Sequence, residues 1–324
     1  MTNTLLIVDG NNIAYRCKHV FQLSYKGEDV SVTYGFLSIL NSILSKFSPS
    51  ACIVAWDYGI PRYRRLRMPE YKANRVKDND DFNWQEFIRQ MNELHNEILP
   101  MCGVHSVKFN HTEADDIMYH AAFMAHDLYD AVAIISSDDD LLQALNIGDS
   151  VFIYNHSKKA VVKPEYITKE YGINPKDIVH WRAIQGDSSD NIAGARGIGP
   201  KTATKLFQQY GSLAGIINAM NDPTVQGKEK SALIALGLEG IKRNVFVMAL
   251  GFDRSGVRNR LDLSLDHYTP ANVKDLKQYL LMHAFTSLMD GALYNNFRRL
   301  SQPTLANDMK MPVTWPGYYQ PVEA

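Results

Sequence analysis

The segment HTEADDIM carries three carboxylates in four residues, Glu113, Asp115 and Asp116, and carboxylate oxygens are the atoms that bind hard divalent cations. Thr112 can act as a helix N-cap, with Asp115 three residues later as in a capping box. The apolar residues that follow have helical spacing. Acids in a first helical turn also complement the helix dipole, so this segment taken alone is well explained as a helix start. A metal site requires that other acids point to the same place.

Three apolar runs predict buried strands, and acidic residues follow each of them. These are 4–8 before Asp9, 51–56 before Asp57, and 131–136 before Asp138 and Asp140. A further strand is predicted at 150–154, a weaker one near 104–109, and a helix over 33–47. Strands that alternate with helices predict an α/β fold with a mostly parallel sheet flanked by helices. The carboxyl ends of such strands form the ligand crevice, and the acids would meet there.

Repulsion between ionised carboxylates determines whether such a cluster can form without a cation. Two carboxylates about 5 Å apart repel by roughly 3 kcal/mol at an effective dielectric constant of 20. Six of them would exceed the ~5–15 kcal/mol net stability of a typical fold. Either the acids do not converge, or divalent cations neutralise them, and ligation by oxygen alone favours Mg²⁺ or Mn²⁺. Each Asp taken singly is better explained as a turn or cap residue.

A basic segment, 61–77, follows Asp57 in a chain whose formal net charge is −1. It contains seven cations and two interleaved tyrosines: Arg62, Arg64, Arg65, Arg67, Lys72, Arg75 and Lys77, with Tyr63 and Tyr71. Cations with aromatic residues suit phosphate contact and base stacking, although most charge runs are solvated loops. The insert over 58–82 exceeds an ordinary loop, which indicates a lid or arch before a helix at about 83–98.

A third segment combines acids with glycines. Asp187 and Asp190 are spaced by one helical turn, and the glycine hairpin, residues 197–203 (GIGPKTA), opens a helix whose N–H groups can face a phosphate. A plain packing corner between helices is the alternative. No GxxxxGK[ST] sequence occurs, which excludes a Walker-type phosphate loop.

The composition is that of a soluble globular protein, with 324 residues, 45% hydrophobic and 21% charged. Cys17, Cys52 and Cys102 stand in apolar contexts without metal-ligand spacing, so we expect buried thiols in a reducing compartment. No stretch predicts a membrane span, and we expect a cytoplasmic location, which is the host cytoplasm if the protein is viral.

Seven segments in this order resemble the structure-specific 5′-nuclease family: LLIVDGNNIAYR, WD at 56–57, PEYKANR, EADD, SSDDD, GDSSDN and GIGPKTA. That family includes flap endonucleases, the 5′-nuclease domain of bacterial DNA polymerase I, and bacteriophage 5′-exonucleases, among them those described as phage ribonuclease H. The resemblance covers about 3–295 and is greatest to the stand-alone bacteriophage enzymes. It implies a PIN-like domain over 1–180 with an arch at about 58–98, a helix–hairpin–helix (H3TH) DNA-binding domain over 181–300, and a flexible Pro-rich tail over 301–324.

The resemblance also implies a site with two Mg²⁺ or Mn²⁺ ions. Asp9, Asp57, Glu113 and Asp115 match the first metal site; Asp138, Asp140, Asp187 and Asp190 match the second, with Asp115 or Asp116 between them. Lys72 and Arg75 match the basic pair of the arch, which would act in catalysis with Asp9, Asp57 and Asp115. Asp139 is expected to face solvent. The expected DNA contacts are Arg16, Arg62, Arg64, Arg65, Tyr71, Gly197, Gly199, Lys201 and Thr202, with K⁺ as an optional ligand of the glycine hairpin.

The activity implied is hydrolysis of phosphodiester bonds at the 5′ ends of flapped, branched or nicked duplex DNA and of RNA–DNA hybrids, in replication and repair. One metal would supply hydroxide and both would hold the scissile phosphate. Two alternatives stay open: a PIN-like ribonuclease on single-stranded RNA, and a non-catalytic branched-DNA-binding replication scaffold. We expect a monomer without a membrane partner, and a sliding clamp or single-strand-binding protein is an open candidate for the tail.

Overall fold

The computed structural model describes residues 3–75 and 83–306, which form two compact units. Their described parts are 3–59, 83–162 and 253–306 in the first unit, and 60–75 and 163–252 in the second. Part of the predicted arch, 76–82, and most of the predicted tail, from 307 on, lie outside the described residues. The predicted domain limits stay predictions.

A mostly parallel sheet forms the centre of the first unit, as the sequence predicts. The strands of this unit are β1 (Thr4–Asp9), β2 (Ser24–Tyr25), β3 (Glu28–Asp29), β4 (Ala51–Trp56), β5 (His105–Lys108), β6 (Ala131–Ile135), β7 (Val151–Asn155) and β8 (Ala160–Val162). The central sheet has the order β5-β4-β1-β6-β7-β8, in which β7 and β8 pair antiparallel and the other neighbours pair in parallel. The helices are α1 (Gly10–Val20), α2 (Ser31–Phe47), α4 (Trp84–Glu93), α5 (Leu99–Met101), α6 (Ala114–Ala125), α12 (Val257–Leu265), α13 (Val273–Met282) and α14 (Gly291–Arg298).

Strand β1 lies inside the sheet, between β4 and β6, and every one of its residues is buried. Ile7 aligns with Ile53 of β4 on one side and with Ile134 of β6 on the other, both in parallel. A strand covered on both faces reads as a continuous apolar run, which is why it could be recognised in the sequence. The parallel register brings the ends of β1, β4 and β6 to one edge of the sheet.

The C-terminal part of the chain completes this core. Leu276, Leu280 and Phe297 belong to the same buried hydrophobic cluster as Leu6 and Val8 of β1. Burial of a large apolar side chain contributes about 1.5–3 kcal/mol, so α13 and α14 contribute substantially to the stability of the first unit.

Close packing fixes where β1 turns into α1. A Cβ atom added at Gly10 would lie 2.6 Å from the Trp56 ring, so this position requires glycine. The helix can therefore begin directly after Asp9, against the end of β4.

The second unit is mainly helical. Its helices are α3 (Arg62–Arg67), α7 (Pro164–Tyr171), α8 (Ile178–Gln185), α9 (Pro200–Tyr210), α10 (Leu213–Asn221) and α11 (Lys228–Met248), with the short antiparallel pair β9 (Gly186–Asp187) and β10 (Ile192–Ala193). Buried Asn244 of α11 donates its side-chain amide to the carbonyls of Ala183 and Ala193, which fixes the hairpin between β9 and β10.

The three cysteines are buried free thiols, as predicted. Among residues 3–75 and 83–306, no helix combines the length and apolar composition that crossing a bilayer requires.

Candidate metal centre

Asp9 connects the end of β1 to the turn after β6. It is the N-cap of α1, and its Oδ1 accepts a hydrogen bond from the backbone N–H of Asn12 at 2.9 Å. Its Oδ2 accepts from the hydroxyl of Ser136 at 2.8 Å, and Ser137 donates to the Asn12 side chain at 2.9 Å. These bonds hold the carboxylate, only 6% exposed, in one position.

Asp57 connects the end of β4 to the start of α6. Its backbone N–H donates to Asn11 Oδ1 at 2.9 Å, and its own Oδ1 accepts from the N–H of Ala114 at 2.7 Å. The first turn of α6 therefore receives its side-chain cap from another strand. The predicted capping role of Thr112 is wrong, because the N-cap residue is Glu113 and the Thr112 backbone pairs with Tyr58 instead.

Three carboxylates meet at this edge and form the acidic cluster: Asp115, Asp138 and Asp140. One oxygen of each lies within 4.8 Å of the others. Asp138 caps a 3₁₀ segment, Asp139–Asn146, by accepting from the Asp140 N–H at 2.8 Å. Oxygens that share a divalent cation at about 2.0–2.6 Å lie up to about 5 Å apart, so the spacing of the acidic cluster falls in the range of a shared ion.

The electrostatics of this edge also call for a cation. Burial raises the pKa of Asp9 to about 7, an effect that Asp57 and Asp138 increase and the hydrogen bonds from Asn12 and Ser136 oppose. Burial, followed by the charges of Asp138 and Asp9, raises the pKa of Asp115 well above its ordinary value. Carboxylates held together in this way are strongly repulsive when ionised, and a divalent cation removes that repulsion.

Two predicted ligands on the same segment are not part of the acidic cluster as the structure describes it. Glu113 and Asp116 are buried, at 6% and 2% exposure. Successive residues of a helix point about 100° apart, so Asp115 and Asp116 face different directions. Burial lowers the pKa of Arg260, and the charges of Asp253 and, to a smaller extent, Asp116 oppose that lowering. Asp139 is exposed, as expected.

The other two predicted ligands belong to the second unit, where they pair with cations. They do not lie on one helical turn, because Asp187 ends β9 and Asp190 lies in the turn that follows. Asp187 accepts from Arg182 at 2.8 Å. Asp190 accepts from Arg75 at 2.6 Å, and Lys72 Nζ lies 3.7 Å from it.

The basic segment is partly buried, which corrects two expected DNA contacts. Arg64 is 2% exposed, and its Nε donates to the carbonyl of Val247 at 2.8 Å. Tyr71 is 4% exposed, and its hydroxyl donates to Asp190 at 3.1 Å. Neither side chain is placed to touch DNA in this conformation, since both pack inside the second unit.

The remaining expected contacts are accessible. Arg62 and Arg65 are exposed in the second unit; in the first, Arg16 is exposed and donates to Ser157 at 3.1 Å. In the glycine hairpin, Gly197 has a φ of +82° and Gly199 is the N-cap residue of α9. Added Cβ atoms at both glycines would meet open space, so the turn conformation, rather than crowding, requires glycine at 197. Lys201 is exposed and Thr202 half-buried in the first turn of α9.

Sequence reasoning missed the residues that hold the acids in place. Asn11, Asn12 and Ser136 tie three turns together, and their signal was their position directly beside Asp9 and Asp138. Arg260 gave no local signal, because its partners are about 150 positions away in sequence.

Two family models match this chain in succession. The N-terminal resolvase-like domain of 5′-3′ exonucleases matches residues 4–172, and their C-terminal SAM-fold domain matches 173–251. The chain belongs to the 5′-3′ exonuclease family. The expected resemblance to 5′-nucleases is thereby confirmed.

Bacterial DNA polymerases I are among the relatives of this 5′-3′ exonuclease family member. The chain is 30% identical to the thermostable enzyme of Thermus aquaticus over 311 residues, which is 95% of this chain and 34% of that protein. It is 32% identical to the Mycobacterium tuberculosis enzyme over 250 residues, 74% of this chain and 26% of that protein. The chain thus spans about a third or less of these relatives.

Solved structures share the fold of this family member. The flap endonuclease of bacteriophage T5, in complex with DNA and metal ions, has a TM-score of 0.66 at 22% identity, covering 87% of this chain and all of that one. The catalytic core of Rad2 with DNA substrate has a TM-score of 0.53 at 16% identity, covering 92% and 93%. At these identities the likeness shows the fold.

Proposed function

We propose that this protein is a divalent-metal-dependent 5′ nuclease that hydrolyses phosphodiester bonds near the 5′ ends of flapped or nicked duplex DNA. The observation that carries the proposal is the acidic cluster at the carboxyl edge of the sheet, in a chain of the 5′-3′ exonuclease family. Acids with raised pKa values are typical of functional sites, and Asp9 and Asp115 are two such acids at this edge.

The metal in this proposal is Mg²⁺ or Mn²⁺, because every candidate ligand is a carboxylate. Asp115, Asp138 and Asp140 would hold it, with Asp9 and Asp57 close enough to raise the pKa of Asp115. When bound, such an ion supplies an activated water and stabilises charge on the phosphate. Asp9 and Asp57 would be further ligands of the first metal, as the family resemblance implies, and their hydrogen bonds keep both carboxylates in fixed positions.

Two predicted roles, each of a pair of residues, extend this proposal on the basis of the family resemblance. Asp187 and Asp190 would serve a second metal, and Lys72 and Arg75 would stabilise developing negative charge. For both cations to do so, their ion pairs with Asp190 must open, since the carboxylate occupies them in this conformation.

Duplex DNA is the proposed partner. The solved relatives are described with DNA or with DNA substrate. Exposed Arg16, Arg62, Arg65 and Lys201 would contact phosphates, and the glycine hairpin, with K⁺ as a further ligand, would bind the duplex backbone. RNA–DNA hybrids are included, because removal of RNA primers requires the same chemistry.

The test is cleavage of a 5′-labelled flap duplex with Mg²⁺, beside a nicked duplex, an RNA-primed duplex and unstructured RNA. The double substitution Asp138→Asn with Asp140→Asn should abolish cleavage, and Asp149→Asn, an exposed acid on the loop before β7, should not. Full activity of the double variant would refute the metal assignment. Equal cleavage of unstructured RNA and of the flap duplex would favour a ribonuclease. Binding of the flap duplex without cleavage would favour a scaffold.

A second measurement concerns phosphate contacts. Binding of the duplex in Ca²⁺ should weaken with salt by a log–log slope of about −0.9 per phosphate contact. A flat response would contradict the proposed role of the exposed arginines and the hairpin lysine.

A further inference from the structure

Arg260 reaches from α12 to the loop that precedes α6. Its Nη2 donates to the Thr112 hydroxyl at 2.8 Å, and its Nη1 donates to the carbonyl of Asn110 at 3.2 Å. The guanidinium also lies 4.8 Å from the centre of the Phe109 ring. One side chain therefore contacts three residues of this loop, in addition to the pairing of the Thr112 backbone with Tyr58.

Arg260 also bonds to the backbone directly before its own helix. Its Nη2 donates to the carbonyl of Ser255 at 2.8 Å, and its Nε lies 3.4 Å from the carbonyl of Gly256. The planar guanidinium thus connects the start of α12 to the loop in a fixed orientation, which a lysine could not reproduce.

The loop that Arg260 contacts is bonded to residues on both sides of the metal centre. Tyr58 donates its N–H to the Thr112 carbonyl at 2.9 Å, and one residue before Tyr58, Asp57 caps Ala114 at 2.7 Å. Asp115 follows Ala114 directly. A shift of the loop would therefore move Asp57 and Asp115 together.

Buried Asp116 completes the arrangement. It lies one residue after Asp115 and is 2% exposed, and its charge acts on the guanidinium of Arg260. A buried carboxylate requires a compensating charge or hydrogen bonds, and the charge of Arg260 contributes to that compensation.

We infer that Arg260 is a positioning residue for the metal centre, which fixes the loop 109–113 and thereby the carboxylates of Asp57 and Asp115. The inference rests on the proposed metal-dependent function and adds a residue that lies beyond both matched family segments, 4–172 and 173–251.

The experiment measures Mn²⁺ binding by titration calorimetry, without DNA, for Arg260→Met and Thr112→Val. Thr112→Val removes the hydroxyl that accepts from Arg260 and that also donates to the Asn110 carbonyl at 3.3 Å. Loss of residues that orient metal ligands typically lowers affinity 10- to 100-fold, and we expect a fall of about this size for Arg260→Met and a smaller fall for Thr112→Val. Asn259→Ala, an exposed neighbour on α12, should bind as the wild type does.

A double-variant comparison separates positioning from general stabilisation. Asp116→Asn should weaken Mn²⁺ binding in the wild-type background and have little further effect in Arg260→Met. Unchanged Mn²⁺ affinity in folded Arg260→Met overturns the inference; if that variant does not fold, unchanged affinity in Thr112→Val does so. Equal losses in Asn259→Ala would also overturn it. A wild-type chain that binds Mn²⁺ but cuts no substrate would refute the proposed function and leave this inference standing.

Discussion

Substitution of Asp9 by Asn should make the metal-free protein more stable while abolishing metal-dependent cleavage. Asn is nearly isosteric, so its Oδ1 can still accept from the N–H of Asn12, and the Ser136 hydroxyl can rotate to accept from the new amide. What disappears is a buried negative charge that the charges of Asp57 and Asp138 oppose. The substitution therefore removes repulsion without opening a cavity.

The magnitude follows from the pKa of Asp9. That pKa rises from 3.8 to about 7 on folding, so between these pH values the folded protein holds one proton more than the unfolded chain. Stability consequently falls as pH rises through this window, by at most about 4 kcal/mol, and stays level above it. Asn carries no charge at any of these pH values. The stabilisation by Asp9→Asn should be small at pH 4.5 and approach this limit at pH 8.

The assay is calorimetric unfolding in EDTA at pH 4.5 and pH 8, repeated at pH 8 with Mg²⁺. At about 2–4 °C per kcal/mol, the variant should melt up to about 8–16 °C above wild type at pH 8 in EDTA. Mg²⁺ should raise the wild-type melting temperature more than that of the variant. Asp149→Asn, with an exposed acid, serves as the control. A variant that melts below wild type at pH 8 in EDTA, or shifts equally at both pH values, would refute the reasoning.

Three further substitutions test other parts of the structure. Asp190→Asn should destabilise the second unit by about 1–3 kcal/mol in urea unfolding, because it weakens charge-assisted bonds at a carboxylate that is 6% exposed; an unchanged midpoint would contradict these ion pairs. Arg64→Met should cost about 1–3 kcal/mol without changing the salt slope of DNA binding, because Arg64 donates to the Val247 carbonyl inside the unit; a reduced slope at unchanged stability would show that it contacts phosphate. Gly10→Ala should lower the melting temperature through a loss of about 1–3 kcal/mol, because the added methyl would overlap the Trp56 ring, and a neutral result would contradict the packing there.

The central sheet could be predicted because its information is local. Each of β1, β4 and β6 is an apolar run of five or six residues, and a parallel arrangement brings the residues after them to one edge. If the acids meet at that edge, their repulsion calls for a cation, and the predicted metal centre depended on that condition. Asp115, Asp138 and Asp140 do lie together.

What could not be predicted depends on contacts between distant residues. The sequence around α6 contains a suitable cap, Thr112, and nothing local shows that Asp57 would replace it. The density of cations in the basic segment suggested solvent exposure, yet Arg64 is buried because the carbonyl of Val247, far along the chain, accepts its hydrogen bond. Helix geometry separates Asp115 from Asp116, but which of the two faces the acidic cluster is fixed only once α6 packs.

The first unit is discontinuous, and this has a consequence for synthesis on the ribosome. Its sheet is complete by residue 162. Four residues of this unit come after the second unit in the chain: Leu276, Leu280 and Phe297 of its core, and Arg260, which bonds to the loop before α6. At about 5–20 residues per second, the intervening ninety or so residues delay them by roughly 5–20 s. During that time the nascent chain carries its acids without the helices that complete their unit. Competence to bind metal would then arise late in translation.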